Sequence, residues 1–200
     1  MTALSAPTAT CPRCGAAPAS TLACQACGAL LDEPAGATHF ARLGLPPRPD
    51  VDLAAAERAY LRLSRALHPD FHGGAGEAAV EHANRASALL NEAWSVLSLP
   101  AERLEYLLEL RAPGALEGAK QLSPAFLAEA LELSEEAEAA AARPAQAAAL
   151  AARVRAEVDR RLAAVLRPEA WQAPDPRALA TTLHELRVLR RVLRDLGDSA

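Results

Sequence analysis

The sequence predicts a nearly all-α protein built from several small units, and three observations carry that expectation. Alanine, leucine, glutamate and arginine dominate while valine, isoleucine and threonine are scarce. That balance favours helix over sheet, because these side chains lose little rotamer freedom in a helix. Apolar residues recur three and four apart along most of the chain, in runs closed by Pro and Gly. With 200 residues, 51% of them hydrophobic but only 4% aromatic, the interior is left to Leu–Ala packing, which buries little area per residue and suits small, modestly stabilised cores.

The first ten residues, MTALSAPTAT, lack both the basic region and the apolar core of a signal peptide, and read as a disordered tail. No later stretch resembles a membrane span, so a cytoplasmic protein with no membrane partner is expected. A formal charge of −4 argues against bulk binding to nucleic acid.

All four cysteines follow in residues 11–31, as CPRCG at Cys11 and Cys14 and CQACG at Cys24 and Cys27. A CxxC turn aims both sulfurs at one point, and the Gly after each pair permits a positive φ. Two such turns complete a four-thiolate zinc site. Disulfides are disfavoured without a secretion signal, and a redox CxxC would need a βαβ surrounding that is absent. With no ligand position left open the zinc is structural, and it supplies most of the folding free energy of so short a segment. A chelator is expected to melt this segment and spare the rest.

Residues 32–37 form a turn-rich linker. Residues 38–112 read as four helices: a short one at HFARLGL, a second from Leu53 to Leu67 capped by Asp52, a third from Glu77 to Leu97, and a fourth opened by Pro100 whose Leu104, Leu107 and Leu108 close a small core. The second carries Leu53, Ala56, Tyr60, Leu63 and Leu67 on one face and Arg58, Arg62 and Arg65 on the other. It stops at His68-Pro69-Asp70, because Pro69 excludes His68 from the α region. The third points Val80, Ala83, Ser87, Leu90, Trp94 and Leu97 inward, an antiparallel partner for the second. Residues 113–121 read as a linker. Over 122–198, Ser123 with Pro124, then Pro144, then the PDP at 174–176 each introduce a helix, and short loops imply an up-down-up three-helix bundle.

A basic second helix, an HPD loop and a long third helix resemble a J-domain. Asn91-Glu92-Ala93-Trp94, Arg103-Leu104-Glu105-Tyr106-Leu107-Leu108 and Phe126-Leu127 leading into Leu131-Glu132-Leu133 resemble, more narrowly, the HscB family of J-proteins dedicated to iron–sulfur cluster assembly. The resemblance runs from Thr38 nearly to the C-terminus, and the cysteine knuckles resemble those of some members. It implies a J-domain followed by a scaffold-binding C-terminal bundle. It also implies a chain that performs no catalysis but stimulates the ATPase of a DnaK- or HscA-type chaperone through His68, Pro69 and Asp70. Asp70 offers a carboxylate to a partner arginine, Pro69 removes backbone freedom, and His68 adds a polar contact. Arg58, Arg62 and Arg65 face an acidic partner and chiefly raise the encounter rate. Phe71 stands where lysine is frequent in the family. His68 and His72 make a poor metal pair, since Pro69 breaks the helix that would align them.

In the first bundle helix, Phe126, Ala130, Leu133 and Ala137 form one apolar stripe and Leu127, Leu131 and Ser134 another. Periodicity leaves open whether both are buried or the second is an exposed docking patch rimmed by Glu132 and Glu135. The resemblance implies the second: Leu127, Leu131, Glu132, Glu135 and Val188 match positions that bind the cluster scaffold protein. Departures are Ala128 for methionine, Ala139 for an acidic residue and Val188 for phenylalanine. The alternative from another class is a zinc-ribbon regulatory or nucleic-acid-binding protein with a helical appendage, which the acidic charge and the lack of stacking aromatics between the knuckles disfavour.

Overall fold

A computed structural model describes residues 10–172 and 174–198. The tail expected over 1–10 lies outside the described residues apart from Thr10. Eight helices run in order through the described residues: α1 (His39–Leu43), α2 (Leu53–Ala66), α3 (Glu77–Leu97), α4 (Pro100–Arg111), α5 (Ala115–Gly118), α6 (Pro124–Ala140), α7 (Pro144–Leu166) and α8 (Pro176–Asp195). Short 3-10 turns cover Pro69–Phe71, Gly73–Ala75 and Pro168–Trp171. Among the described residues β structure is limited to a bridge between Ala23 and Leu30, and no helix is long and apolar enough to cross a membrane.

Local chemistry sets the helix starts. Asp52 accepts from the Ala55 N–H at 3.0 Å and Ser123 Oγ from the Phe126 N–H at 3.1 Å. Asp175 accepts from the N–H groups of Arg177 and Ala178. Each satisfies donors a helix cannot satisfy itself. Pro124, Pro144 and Pro176 sit in the first turn, where the missing N–H costs nothing.

The chain divides into two compact units, Met1–Leu99 and Pro100–Ala200. In the first, α1 and α2 pack on α3 around Phe40, Leu43, Leu63, Leu67, Leu90 and Leu97, all buried. Ala83, Ala86 and Ala93 take the inner positions of α3, while Val80, Ser87 and Trp94, expected inside, are half-buried. Alanines at the contact let the helices approach closely, which moves the larger side chains to the flank. There Trp94 stacks on Tyr60 with ring centroids 4.9 Å apart.

The cysteine segment belongs to this same unit. The Thr21 N–H donates to the Ala41 carbonyl at 3.1 Å and Ser20 Oγ to the Arg42 carbonyl at 2.6 Å. His82 Nε2 on α3 donates to the Leu31 carbonyl at 3.1 Å. Arg42 bridges Glu33 and Glu92, both at 2.7 Å. Gly44, which ends α1 at φ +69°, lies so near the segment that a Cβ there would stand 3.1 Å from the Ala19 backbone. The segment is therefore docked, not appended, and the expectation that its loss would spare every other element does not extend to α1 and α3.

In the second unit α6, α7 and α8 pack together as expected, with α4 and α5 against α8. By contact α4 groups with α5–α8, and the chain divides between Leu99 and Pro100. Leu104, Leu107 and Leu108 of α4 are buried, and from α8 Arg187 clasps Glu105 through Nε and Nη2 at 2.6 and 2.5 Å while Arg190 reaches Glu102 at 3.1 Å. Within the stretch read as linker, Ala115–Gly118 forms α5, tied to α8 by His184 Nε2 donating to the Leu116 carbonyl at 2.7 Å.

Candidate functional sites

The two knuckles are built alike. Gly15 N–H returns to the Cys11 carbonyl and Gly28 N–H to the Cys24 carbonyl, each at 2.8 Å, with φ +73° and +71° at the glycines. Cys11 N–H bonds the Ala16 carbonyl at 2.7 Å and Cys24 N–H the Ala29 carbonyl at 2.9 Å. This repeated turn brings all four sulfurs within 4.8 Å of one another. Cys11 Sγ to Cys27 Sγ is 3.6 Å and Cys14 Sγ to Cys24 Sγ 3.7 Å. A disulfide needs ~2.05 Å, whereas a tetrahedron of sulfurs ~2.3 Å from a metal has edges of ~3.8 Å. The four cysteines are free, and their spacing fits a metal ion.

Their acidities diverge for the same reason. Burial would raise the Cys11 thiol, yet the N–H groups of Arg13 and Cys14, with the Cys27 and Cys14 thiols, bring it down to about 7. At Cys14 the Ala16 N–H favours the thiolate, but Cys27, burial, Cys11 and Cys24 push it up to about 12. Four thiols this close cannot all ionise unaided; a divalent cation at their centre removes that penalty.

At the end of α2, His68 turns extended and caps the 3-10 turn Pro69–Phe71, its Nδ1 accepting from the Asp70 N–H at 3.3 Å. His72 Nε2 donates to the Ala66 carbonyl at 2.9 Å and anchors the turn from behind. That bond gives His72 a helix-capping role and turns it away from any pairing with His68. The Asp70 carboxylate is 84% exposed. Phe71 is also exposed and meets the His68 ring edge-on at 6.1 Å. Arg58, Arg62 and Arg65 are exposed and make no ion pair among the described residues. An exposed carboxylate, 3.5 Å from His68 Nδ1, on a braced turn thus ends a stripe of exposed guanidinium groups.

On α6, Phe126, Ala130, Leu133 and Ala137 are buried, whereas Leu127 and Leu131 are 52% and 62% exposed. Burial thereby decides between the two stripes. Glu132 and Glu135 are exposed beside them, as are Ala128 and Ala139. Val188 lies half-buried on α8, next in sequence to the buried Leu189.

The sequence reading missed a cavity of about 120 Å³ between the second knuckle and α2, lined by Cys24, Gln25, Gly28, Ala59, Arg62 and Ala66 among others. No local pattern announces it, because its walls come from segments more than thirty residues apart in the chain.

No protein-family model matches the chain. It is 37% identical over 108 residues to the co-chaperone protein HscB homolog of Paraburkholderia phymatum, a match covering 52% of this chain and 61% of that protein. It is 37% identical over 99 residues to the homolog of Ralstonia nicotianae, covering 49% and 56%. The chain thus spans little more than half the length of the curated relatives it matches. Among solved structures, chaperone HscB from Vibrio cholerae superposes with a TM-score of 0.68 at 26% identity, covering 80% of this chain and 96% of that one. The human co-chaperone protein HscB superposes at 0.76 and 23% identity, covering 94% and 97%, and speaks for the fold alone. Curated sequences and solved structures converge: this chain resembles the HscB-type J-domain co-chaperones, with a four-cysteine segment ahead of its J-domain.

Proposed function

We propose that this chain is a co-chaperone of iron–sulfur cluster assembly. It binds the cluster scaffold protein through Leu127, Leu131, Glu132, Glu135 and Val188, brings it to a DnaK- or HscA-type chaperone, and stimulates that chaperone's ATPase through His68, Pro69 and Asp70. The observation that carries the reading is the braced, solvent-facing HPD turn at the end of an exposed arginine stripe that makes no ion pair among the described residues. Asp70 takes a charge-assisted bond from a partner arginine, and the fixed turn lowers the ordering cost of that contact. The stripe steers an acidic chaperone surface toward the turn. Across the scaffold face the two leucines supply apolar area and the glutamates an oriented rim. The metal of the four cysteines is zinc in a structural role, its set of four thiolates leaving no position open for substrate.

Asp70→Asn tests this. The variant keeps the shape of the turn and removes one charge, so its melting temperature stays that of the parent while single-turnover ATP hydrolysis by the chaperone falls to the unstimulated rate. Full stimulation by a folded Asp70→Asn protein overturns the proposal.

A further inference from the structure

The cavity beside the second knuckle is a feature that neither the HPD turn nor the four-cysteine site uses. It sits wholly within the first unit, with Ala23, Cys24, Gln25 and Gly28 on the knuckle side, Leu43 from α1, and Ala59, Arg62, Leu63 and Ala66 from α2. At about 120 Å³ it has room for a branched aliphatic side chain. Its walls are apolar apart from Arg62, Gln25 and the edge of Cys24. Small residues line it: Ala59 and Ala66 two turns apart on one side of α2, and Gly28 on the knuckle side.

Position on the helix relates this cavity to the proposed chaperone surface. At about 100° of rotation per residue, Arg58, Arg62 and Arg65 fall within about 60° of one another, and Ala59 and Ala66 lie about 40 to 60° past Arg62. Arg62 is therefore shared: it is the edge of the arginine stripe and a wall of the cavity. Its guanidinium is exposed and makes no ion pair among the described residues. An occupant that fills the apolar part places its own flanking group against that cation, and among protein side chains a carboxylate matches its charge. Gln25 is fixed at the mouth, its Oε1 accepting from the Ala19 N–H at 3.0 Å.

We propose that the second cysteine knuckle and α2 form a composite pocket that takes an aliphatic side chain with a neighbouring carboxylate from the ATPase partner, so that the metal segment is part of the chaperone-binding surface. This rests on the co-chaperone reading above. It gives the four-cysteine segment a task beyond its own folding: the metal holds the Cys24 turn, and that turn is one wall of the pocket.

The test uses the full chain and its purified DnaK- or HscA-type chaperone, with binding followed by titration in the presence of ATP. Ala59→Leu fills the pocket. Gln25→Glu keeps the acceptor for Ala19 N–H and sets a negative charge at the mouth. Ala59→Leu lowers affinity at least about tenfold, the lower end of what one buried aliphatic side chain is worth, and Gln25→Glu lowers it through charge repulsion. At saturation each still stimulates ATP hydrolysis like the parent, because the HPD turn is intact. Thermal unfolding and bound metal stay at parent values, and the Gln25→Glu loss shrinks with added salt. Unchanged affinity in both variants, with Asp70→Asn still abolishing stimulation, overturns the pocket while leaving the co-chaperone reading in place. Unimpaired stimulation by Asp70→Asn overturns the reading and the pocket with it.

Discussion

At the scale of single residues, function and stability separate by exposure. Leu127 and Leu131 stand in solvent, so truncating both to Ala changes fold stability by no more than about 0.5 kcal/mol per site. The same change should weaken scaffold binding strongly, and titration calorimetry with the scaffold protein checks it; unchanged affinity would exclude this patch. Leu63, buried in the first unit, is the contrast: Leu63→Ala should cost about 2–5 kcal/mol in chemical denaturation. Charge reversal at Arg62 and Arg65 should slow chaperone association at low salt and matter far less at high salt. Glu157 supplies a pH signature. Its hydrogen bond from Arg160, against some opposition from burial and with help from Arg161, holds its carboxyl below the usual value. The stabilisation it gives is complete above the ordinary glutamate range and is lost as pH falls through the depressed folded value. Glu157→Gln should therefore narrow its stability gap to the parent on acidification, and denaturation at a series of pH values reads this directly.

At the scale of elements, much was written locally. Asp52, Ser123 and Asp175 each cap a helix that begins where the sequence places it, and Pro100, Pro124, Pro144 and Pro176 open four of them. The cysteine knuckles were legible for the same reason, since five residues carry the whole turn. What stayed hidden depends on partners distant in sequence. The docking of the cysteine segment rests on Ser20 and Thr21 meeting α1 and on His82 meeting Leu31, side chains whose types announce nothing. The pairing of α4 with α8 depends on such partners too, with Arg187 meeting Glu105 across eighty-two positions. Leu127 and Leu131 could not be separated from the core stripe by periodicity, because a broad apolar face and a patch of two leucines have the same period. Gly44 tests the docking: Gly44→Ala combines a left-handed φ with a Cβ 3.1 Å from Ala19. It should lower the melting temperature of the first unit and loosen the cysteine segment, seen as faster amide exchange at Thr21 and Leu31.

At the scale of the molecule, the metal segment and α1–α3 form one compact unit, and α4–α8 another. Chelation should thus unfold the cysteine segment and destabilise the first unit while the second keeps its transition, which two-phase thermal unfolding would resolve. The proposed chaperone contacts belong to the first unit and the proposed scaffold contacts to the second. The central claim is that one chain couples the two partners. Steady-state ATP hydrolysis by the chaperone, measured with scaffold and this chain together, tests it most directly. The account predicts turnover well above that with either alone, falling to the scaffold-only rate with Asp70→Asn and to the rate without scaffold with Leu127→Ala and Leu131→Ala combined. Turnover that this chain leaves unchanged, with or without scaffold, would contradict it.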